Sequence, residues 1–445
     1  MIKFLKSFFL SSRYFILLAA AVILFVLGYF FPAFESIAII STLALFSLTL
    51  IDTLLLYSPK IFSLSAKRLA PTRLSNGDEN LITIILENPY TFLTQVSVID
   101  ELPIQFQRRD FLYRLILPPN TQKQFSYVLR PTARGEYHFG NIHFFFESPL
   151  GLVRRRFTLE AATMIPVYPS YLQMRRYELL ATTSRLTEFG LKRIRRLGHT
   201  LEFEHIKNYV TGDDIRTLNW KATARRNHLM VNQYQDERSQ PVYCLIDMGR
   251  AMKMPFEEMS LLDYAINTTL AISNIVLKKQ DRAGLLTFSS TIHSIVPAER
   301  KTGQLSKIIE TLYNQVTRFD EPDYETLFIT LQRQVHQRAL LLLFTNFETL
   351  SSLRRHLKTL QRLAKRHLLV TIFFENTELH ALLQRKVVTL EDAYIKTIAE
   401  KFAFEKREIV LELNRYGIQS ILTQPKDLSL NTINKYLELK ARGLI

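Results

Sequence analysis

Residues 242–248, VYCLIDM, and residues 339–347, ALLLLFTNF, decide the fold of the second half of this chain. Each opens on a short apolar run with no polar alternation, the pattern of a strand covered on both faces. Around them the rhythm is strand, helix, strand. LLDYAINTTLAISNIVLKK (261–279) carries apolar residues at helical spacing, and DRAGLLTFSS (281–290) returns to strand. KIIETLYNQV (307–316) and LFITLQRQVHQ (327–337) read as helices before the second quoted run, and LRRHLKTLQRLAKR (353–366) as a helix after it. HLLVTIFFE (367–375) is a further strand, and a long helical stretch leads to GIQSILTQP (417–425) and a closing helix, NTINKYLELKARG (431–443). Continuous apolar strands alternating with helices predict a parallel sheet covered on both faces. Residues 241–445 therefore read as a doubly wound α/β domain, whose ligands would sit beyond the carboxyl ends of the strands.

Upstream the period changes to that of strands. LITIILEN, TQVSVIDEL, QKQFSYVLRP, GEYHFGNIHFFFE and LVRRRFTLE are rich in β-branched and aromatic residues. Turn signals such as Asn76-Gly77-Asp78 and Pro118-Pro119-Asn120 separate them. Residues 64–172 read as an antiparallel β-sandwich. Residues 173–240 are a connector of different character, rich in basic residues and holding the sole tryptophan, Trp220. The whole is an α+β multidomain chain.

Residues 1–63 are different again. The stretch Tyr14 to Phe31, YFILLAAAVILFVLGYFF, has no charge, and a second apolar run from Ile37 to Tyr57 is broken only by Asp52. Each is long enough to cross a hydrocarbon core of roughly 30 Å. A cleaved signal peptide would also suit the basic residues Lys3, Lys6 and Arg13, but no small-x-small cleavage site precedes the second run. The reading is a transmembrane helical hairpin. Lys3, Lys6 and Arg13 stand before it and Lys60, Lys67, Arg68 and Arg73 after it, while the turn from Pro32 to Ser36 has no Lys or Arg. The positive-inside rule then places both flanks, and the bulk of the chain, on the cytoplasmic side of the plasma membrane. Asp52 reads as an interfacial residue, with a polar contact between the helices as the alternative.

The net charge is +16 over 445 residues. Attraction to an anionic leaflet accounts for such a balance without nucleic acid. Arg193, Arg195 and Arg196 form a basic knot, but it lacks the interleaved aromatics that a single-strand binder uses, so no nucleic acid is expected. A single cysteine, Cys244, permits no intrachain disulfide and no cysteine-based metal site. No His-Glu-x-x-His, Gly-x-Ser-x-Gly or phosphate-cradling Gly-x-x-x-x-Gly-Lys-Ser/Thr occurs.

Two segments are candidate sites. The first is the turn after the opening strand of the α/β domain, Asp247-Met248-Gly249-Arg250-Ala251. With Lys279-Gln280-Asp281-Arg282-Ala283-Gly284-Leu285-Leu286-Thr287-Phe288 it resembles the von Willebrand factor A fold. That fold holds a divalent metal with Asp-x-Ser-x-Ser, a downstream Thr and a downstream Asp. Here Asp247 is kept, Gly249 and Ala251 replace the serines, Thr326 is the candidate threonine, and Asn346 stands where the second acid belongs. One carboxylate, one hydroxyl and one amide are a weak set for Mg²⁺, so no cofactor is expected. The alternative role for Asp247 is to cap the next helix or tie down its loop.

The second segment is EFEHIKNYVTGDDIRTLNWKATARRNHLMVNQYQDER, residues 202–238. Gly212-Asp213-Asp214 is a turn signal. Arg216, Lys221, Arg225 and Arg226 are near enough in sequence to pair with Glu202, Glu204, Asp213 or Asp214, with Trp220 packed against the network. The same residues could instead form a recognition surface, since Trp and Arg are enriched at binding hot spots. The segment resembles a bacterial family, the domain of unknown function 58 proteins. The resemblance rests on Glu202-Phe203, Tyr209-Val210-Thr211-Gly212-Asp213-Asp214-Ile215-Arg216, Trp220-Lys221-Ala222-Thr223-Ala224-Arg225 and Glu237-Arg238. It extends to Arg134–Gly140, Ser148-Pro149-Leu150-Gly151-Leu152 and the closing Tyr436–Arg442. The resemblance implies membrane anchoring, a von Willebrand factor A-like domain, and a MoxR-type AAA+ ATPase as protein partner. The implied function is a non-enzymatic adaptor or scaffold for complex assembly; the alternative is a metal-dependent hydrolase acting near the membrane.

Overall fold

A computed structural model describes residues 6–57, 64–108, 111–182, 202–210, 213, 215, 218–235, 239–376, 382–383 and 389–445. The chain is mixed α+β and divides into two compact units, residues 1–168 and 169–445.

The first unit begins with a strand, β1 (Phe8–Leu10), ahead of two helices, α1 (Ser12–Phe30) and α2 (Pro32–Leu56). Both helices are long and apolar enough to cross a membrane, and most of their side chains face outward from the protein. Pro32 opens α2 at a position where the missing N–H costs nothing. Ten strands follow: β2 (Ala66–Leu69), β3 (Leu74–Ser75), β4 (Asn80–Glu87), β5 (Thr94–Asp100), β6 (Tyr113–Leu117), β7 (Gln122–Leu129), β8 (Gly135–Phe139), β9 (Ile142–Glu147), β10 (Val153–Leu159) and β11 (Thr163–Tyr168). They form a five-stranded sheet β1-β10-β9-β5-β6 and two three-stranded sheets, β2-β4-β7 and β3-β11-β8. All pairings are antiparallel except that of β3 with β11. Alternate residues of β4, β5 and β9 (Ile84, Val96, Val98, Phe144 and Phe146 among them) point into one shared apolar core. Arg68 is buried in this unit and pairs with Asp100, which also accepts from the Tyr127 hydroxyl. Burial raises the Asp100 pKa, with the Arg68 charge opposing it. Arg68 therefore spends its charge inside the protein rather than at a membrane surface.

Asp52 departs from both sequence readings. It is fully buried near the end of α2, and its Oδ2 accepts from the Ser148 hydroxyl and from the N–H groups of Leu152 (3.0 Å) and Val153 (3.2 Å). The turn from Ser148 to Leu152 thus grips the helix rather than a neighbouring helix or a lipid headgroup gripping it. The Ser11 hydroxyl donates to the Gly151 carbonyl, and the Ser11 N–H to the Leu152 carbonyl at 2.9 Å. The Leu56 carbonyl, left unpaired by the end of α2, accepts from Arg155 Nη1 (2.6 Å) and the Tyr90 hydroxyl (3.0 Å).

The second unit starts with α3 (Tyr171–Thr182), a strand pair β12 (Glu202–Asn208) and β13 (Met230–Gln235), and between them the short helix α4 (Trp220–Arg226). Then come β14 (Pro241–Asp247), the small hairpin β15 (Pro255–Phe256) and β16 (Met259–Ser260), α5 (Leu261–Lys278), β17 (Arg282–Phe288), β18 (Ile292–Glu299), α6 (Gln304–Tyr313) and α7 (Tyr324–Gln334). The unit closes with β19 (Leu340–Phe344), α8 (Leu350–Arg366), β20 (Leu368–Phe374), α9 (Leu390–Arg415), β21 (Gln419–Thr423) and α10 (Leu428–Ala441). One six-stranded sheet runs β18-β17-β14-β19-β20-β21, parallel throughout except for β18. Helices α3, α5, α6 and α10 cover one face, and α7, α8 and α9 the other. This is the doubly wound arrangement, and the order of connection reverses between β14 and β19.

Local chemistry explains the elements. β14 and β19 are buried at every position, as unbroken apolar runs require. Helix α8 buries Leu353, Leu357, Leu360 and Leu363 on one stripe and starts at a Thr349 cap. Gly284 is needed opposite Tyr243, because a Cβ there would lie 2.6 Å from the ring. Asp281, at the lead-in to β17, is buried and accepts from the Tyr436 hydroxyl (2.5 Å), Lys440 Nζ (2.6 Å) and the Gln240 N–H (3.2 Å). It ties the closing helix α10 to the sheet.

Candidate functional site

The switch point between β14 and β19 carries a cleft of about 160 Å³. Asp247, Tyr324 and Thr345 line it together with Arg250, Asn346 and His356. Asp247 sits at the carboxyl end of β14 and is buried. Its Oδ1 accepts the Gly249 N–H at 2.7 Å, and its Oδ2 the Thr345 hydroxyl at 2.7 Å and the Tyr324 hydroxyl at 3.4 Å. Burial pushes the Asp247 carboxyl up to about 6, against the lowering effect of these donors. Tyr324 is raised well above the usual phenol range, by burial and then by the neighbouring Asp247 charge. Burial beside Arg355 lowers His356.

The residues proposed from sequence for a metal are placed as follows. Asp247 ties down its own loop through Gly249. Thr326 is not among the residues lining the cleft; its hydroxyl donates to Asp323 in the first turn of α7. The hydroxyl beside Asp247 is that of Thr345 instead, one residue before Asn346. Asn346 lines the cleft, but its Oδ1 accepts from Lys406 Nζ at 2.7 Å, which also donates to the Phe347 carbonyl at 2.5 Å. Lys406 reaches in from α9, and burial lowers its amine to about 8. A Cβ on Gly249 would lie 2.9 Å from Asp247 Oδ1 and 3.0 Å from the Asp320 carbonyl oxygen. The segment around Asp320 is stapled there by Arg250 N–H to Asp320 O (3.2 Å) and Arg318 N–H to Met248 O (3.0 Å). The space that a side chain at position 249 would need is thus filled by another part of the chain. Among the described residues no group of three or more His, Cys, Asp or Glu side chains could hold a metal ion. Cys244 is buried within β14, its thiol pushed up to about 12 by burial, which makes it a packing residue.

The 202–238 segment is built the other way, outward. Asn219 caps α4 by accepting the Ala222 N–H at 3.0 Å, and its amide donates to Asn232 of β13 at 2.8 Å. The Thr223 hydroxyl accepts the Met230 N–H at 3.0 Å. These bonds pin one side of α4 to the strand pair. Trp220 is 70% exposed, and Lys221, Arg225 and Arg226 are exposed with it. Val210, Ile215 and Leu229 in the same segment are exposed too. Asp213 accepts from Lys207 Nζ (2.9 Å) and the Val210 N–H (3.0 Å), and the Lys207 hydrogen bond holds its pKa below the usual range. Tyr209 is half-buried, and its N–H donates to the Leu229 carbonyl at 2.8 Å. Glu202 opens β12, and its side chain lies outside the described residues, as do Gly212, Asp214, Arg216, Glu237 and Arg238.

Residues 205–408 match the family model described as "Protein of unknown function DUF58". The chain is 30% identical over 240 residues to the uncharacterised protein YeaD of Bacillus subtilis, an alignment covering 52% of this chain and 57% of that one. The chain thus spans little more than half the length of that curated relative. Among solved structures, the conserved hypothetical protein BatB from Bacteroides thetaiotaomicron is matched over 46% of this chain and all of its own, at 10% identity and a TM-score of 0.30. The CARDB domain of the PF1109 protein from Pyrococcus furiosus is matched over 25% of this chain and 96% of its own, at 14% identity and a TM-score of 0.18. The family match takes in β13, α4 and both ends of the Asp247 cleft.

Proposed function

We propose that this protein is a non-enzymatic adaptor, anchored in the plasma membrane by α1 and α2 with its bulk on the cytoplasmic side. In this reading the strands of the first unit form a β-sandwich and the second unit is a von Willebrand factor A-like domain whose metal site has been closed. The partner implied by the family resemblance is a MoxR-type AAA+ ATPase, engaged during assembly or maturation of a complex. The observation that carries the proposal is α4. A seven-residue helix is fixed to its support by Asn219 and Thr223 while Trp220, Lys221 and Arg225 are turned to solvent. A large aromatic beside Arg, exposed on a pinned element, is the composition of a binding hot spot. The hydrolase alternative would recruit His199, His205, Asp213 and Asp214 as metal ligands or acid–base groups; Asp213 is engaged by Lys207 and the Val210 N–H, and His199, Asp214 and the His205 side chain lie outside the described residues.

The test is affinity capture of the full chain from membranes, compared with Trp220→Ala and Arg225→Glu. The wild type should retain a AAA+ ATPase that both variants lose while still melting cooperatively within about 4 °C of the wild type. Equal recovery by all three proteins would remove α4 from the interface, and recovery of no ATPase by the wild type would remove the partner.

A further inference from the structure

The base of the helical hairpin carries a surface that the adaptor reading does not use. β1 leads into α1 through Ser11 alone, and it pairs antiparallel with β10, Phe9 opposite Arg154 and Phe8 opposite Arg155. Side chains alternate across a strand. Phe8, Leu10 and Val153 therefore belong to the core face, and Phe9, Arg154 and Arg156 share the outer face. Contacts agree with this register: Arg156 lies over the Phe9 ring at 5.4 Å, and Phe9 packs edge-on against Phe145 at 5.5 Å. Phe9 is 38% exposed and the Arg154 side chain 36%. Lys6 and Arg13 are exposed at either end of β1, and Leu150 is exposed at the tip of the turn that grips Asp52. Glu147 bonds Arg154 at 2.7 Å. Lys6, Arg13 and Arg156 stand around that pair.

The height of this face is fixed by the chain. A strand rises about 3.3 Å per residue. Arg13 lies at the start of α1, Arg154 is roughly 7–10 Å below it, and Arg156 about 7 Å further. The polar layer of a bilayer is several ångströms thick, and its surface potential extends a further Debye length of about 8 Å. The Asp52 and Ser11 bonds tie the sheet to the base of the two helices.

We propose that the outer face of the β1–β10 pair, Phe9 with Arg154 and Arg156, together with Lys6 and Arg13, binds the headgroups of anionic phospholipids. Arg13, Lys6 and Arg154 take the phosphate diesters, Arg156 acts from within the surface potential, and Phe9 and Leu150 pack against the headgroups. This rests on the reading of α1 and α2 as membrane-spanning.

The experiment reconstitutes the full chain in phosphatidylcholine bilayers with trace spin-labelled phosphatidylglycerol or spin-labelled phosphatidylcholine. The fraction of label immobilised on the protein gives a relative association constant for each lipid. Wild-type protein should favour phosphatidylglycerol by about five-fold, a ratio that falls toward one in high salt. Arg154→Gln/Arg156→Gln should lose the preference, and Arg154→Lys/Arg156→Lys should keep most of it. The salt titration on wild type needs no variant, so misfolding of the glutamine pair leaves the test intact. Equal association of the two lipids with inserted wild-type protein overturns the headgroup proposal alone. Release of the chain from bilayers by alkaline carbonate overturns the membrane reading and this proposal with it.

Discussion

Replacing Trp220 by alanine separates a recognition surface from a structural network. Trp220 is 70% exposed, so about a third of its surface touches the protein. A tryptophan side chain can bury about 250 Å², so that share is roughly 75 Å², worth at most about 2 kcal/mol at ~25 cal/mol/Å². The unfolded chain already hides part of that area, and alanine keeps the Cβ, so the expected loss is about 1 kcal/mol. A tryptophan packed into a core would cost about 3–5 kcal/mol on truncation. For a unit of this size each kcal/mol moves the melting temperature by roughly 2–4 °C. Trp220→Ala should therefore lower Tm by about 2–4 °C in the full detergent-solubilised chain, while partner affinity falls by 2 kcal/mol or more, about thirty-fold. Because Trp220 is the sole tryptophan, its emission supplies an independent check. It should be water-like and readily quenched in the free protein, and shielded when partner is added. A Tm loss beyond about 6 °C, or a blue-shifted and quencher-resistant emission in the free protein, refutes the exposed placement on which the argument stands.

Other perturbations have equally definite outcomes. Asp281→Ala strips Tyr436, Lys440 and the Gln240 N–H of their shared acceptor, and should cost about 3 kcal/mol, read as the largest Tm loss among the variants named here. Asp247 has a folded-state pKa of about 6 against 3.8 when unexposed to the fold, so its ionisation opposes folding. The folded state binds the extra proton, hence this group's contribution to stability should rise as pH falls from about 7 toward 4. Asp247→Asn should abolish that rise, seen as a wild-type-minus-variant Tm difference that changes with pH; a pH-independent difference would falsify the assignment. Asp52→Ala leaves the Leu152 and Val153 N–H groups and the Ser148 hydroxyl without their acceptor. Amide hydrogen exchange at Leu152 and Val153 should accelerate by at least tenfold, and unchanged protection there would mean that the turn holds itself.

Much of the second unit was legible because its signals are local. Unbroken apolar runs of five to seven residues ending at Asp247 and Phe344 have the length of strands buried on both faces, and the 3.6-residue stripe of Leu353, Leu357, Leu360 and Leu363 is that of a helix lying on them. What escaped depends on partners distant in sequence. β1 is three residues long and has no period of its own; it is a strand because β10, over 140 residues later, offers an edge. Asp52 looked like an interfacial residue because nothing near it in sequence reveals the Ser148–Leu152 turn. Thr345 was passed over for Thr326 by the same logic. The signal that could have found it was its place at the carboxyl end of an apolar strand beside Asn346, where doubly wound sheets gather their ligand-facing groups.

The same long-range contacts occupy the polar groups at the sheet's switch point. A metal would need free hard oxygens. Asp247 gives both of its oxygens to internal donors, Asn346 gives its oxygen to a buried ammonium, and Gly249 leaves no room for a third ligand. In this arrangement these side chains act as struts within the protein. Lys406 makes the point most sharply, because a cation placed beside Asn346 both occupies its oxygen and repels an incoming Mg²⁺. Placing a serine at position 249 should therefore not create metal binding. Its Cβ would first have to displace the Asp320 segment, so Gly249→Ser is expected to lose stability and gain no Mg²⁺-dependent rise in Tm. A variant that did melt higher in millimolar Mg²⁺ would show that the cleft is a latent metal site and not a closed one.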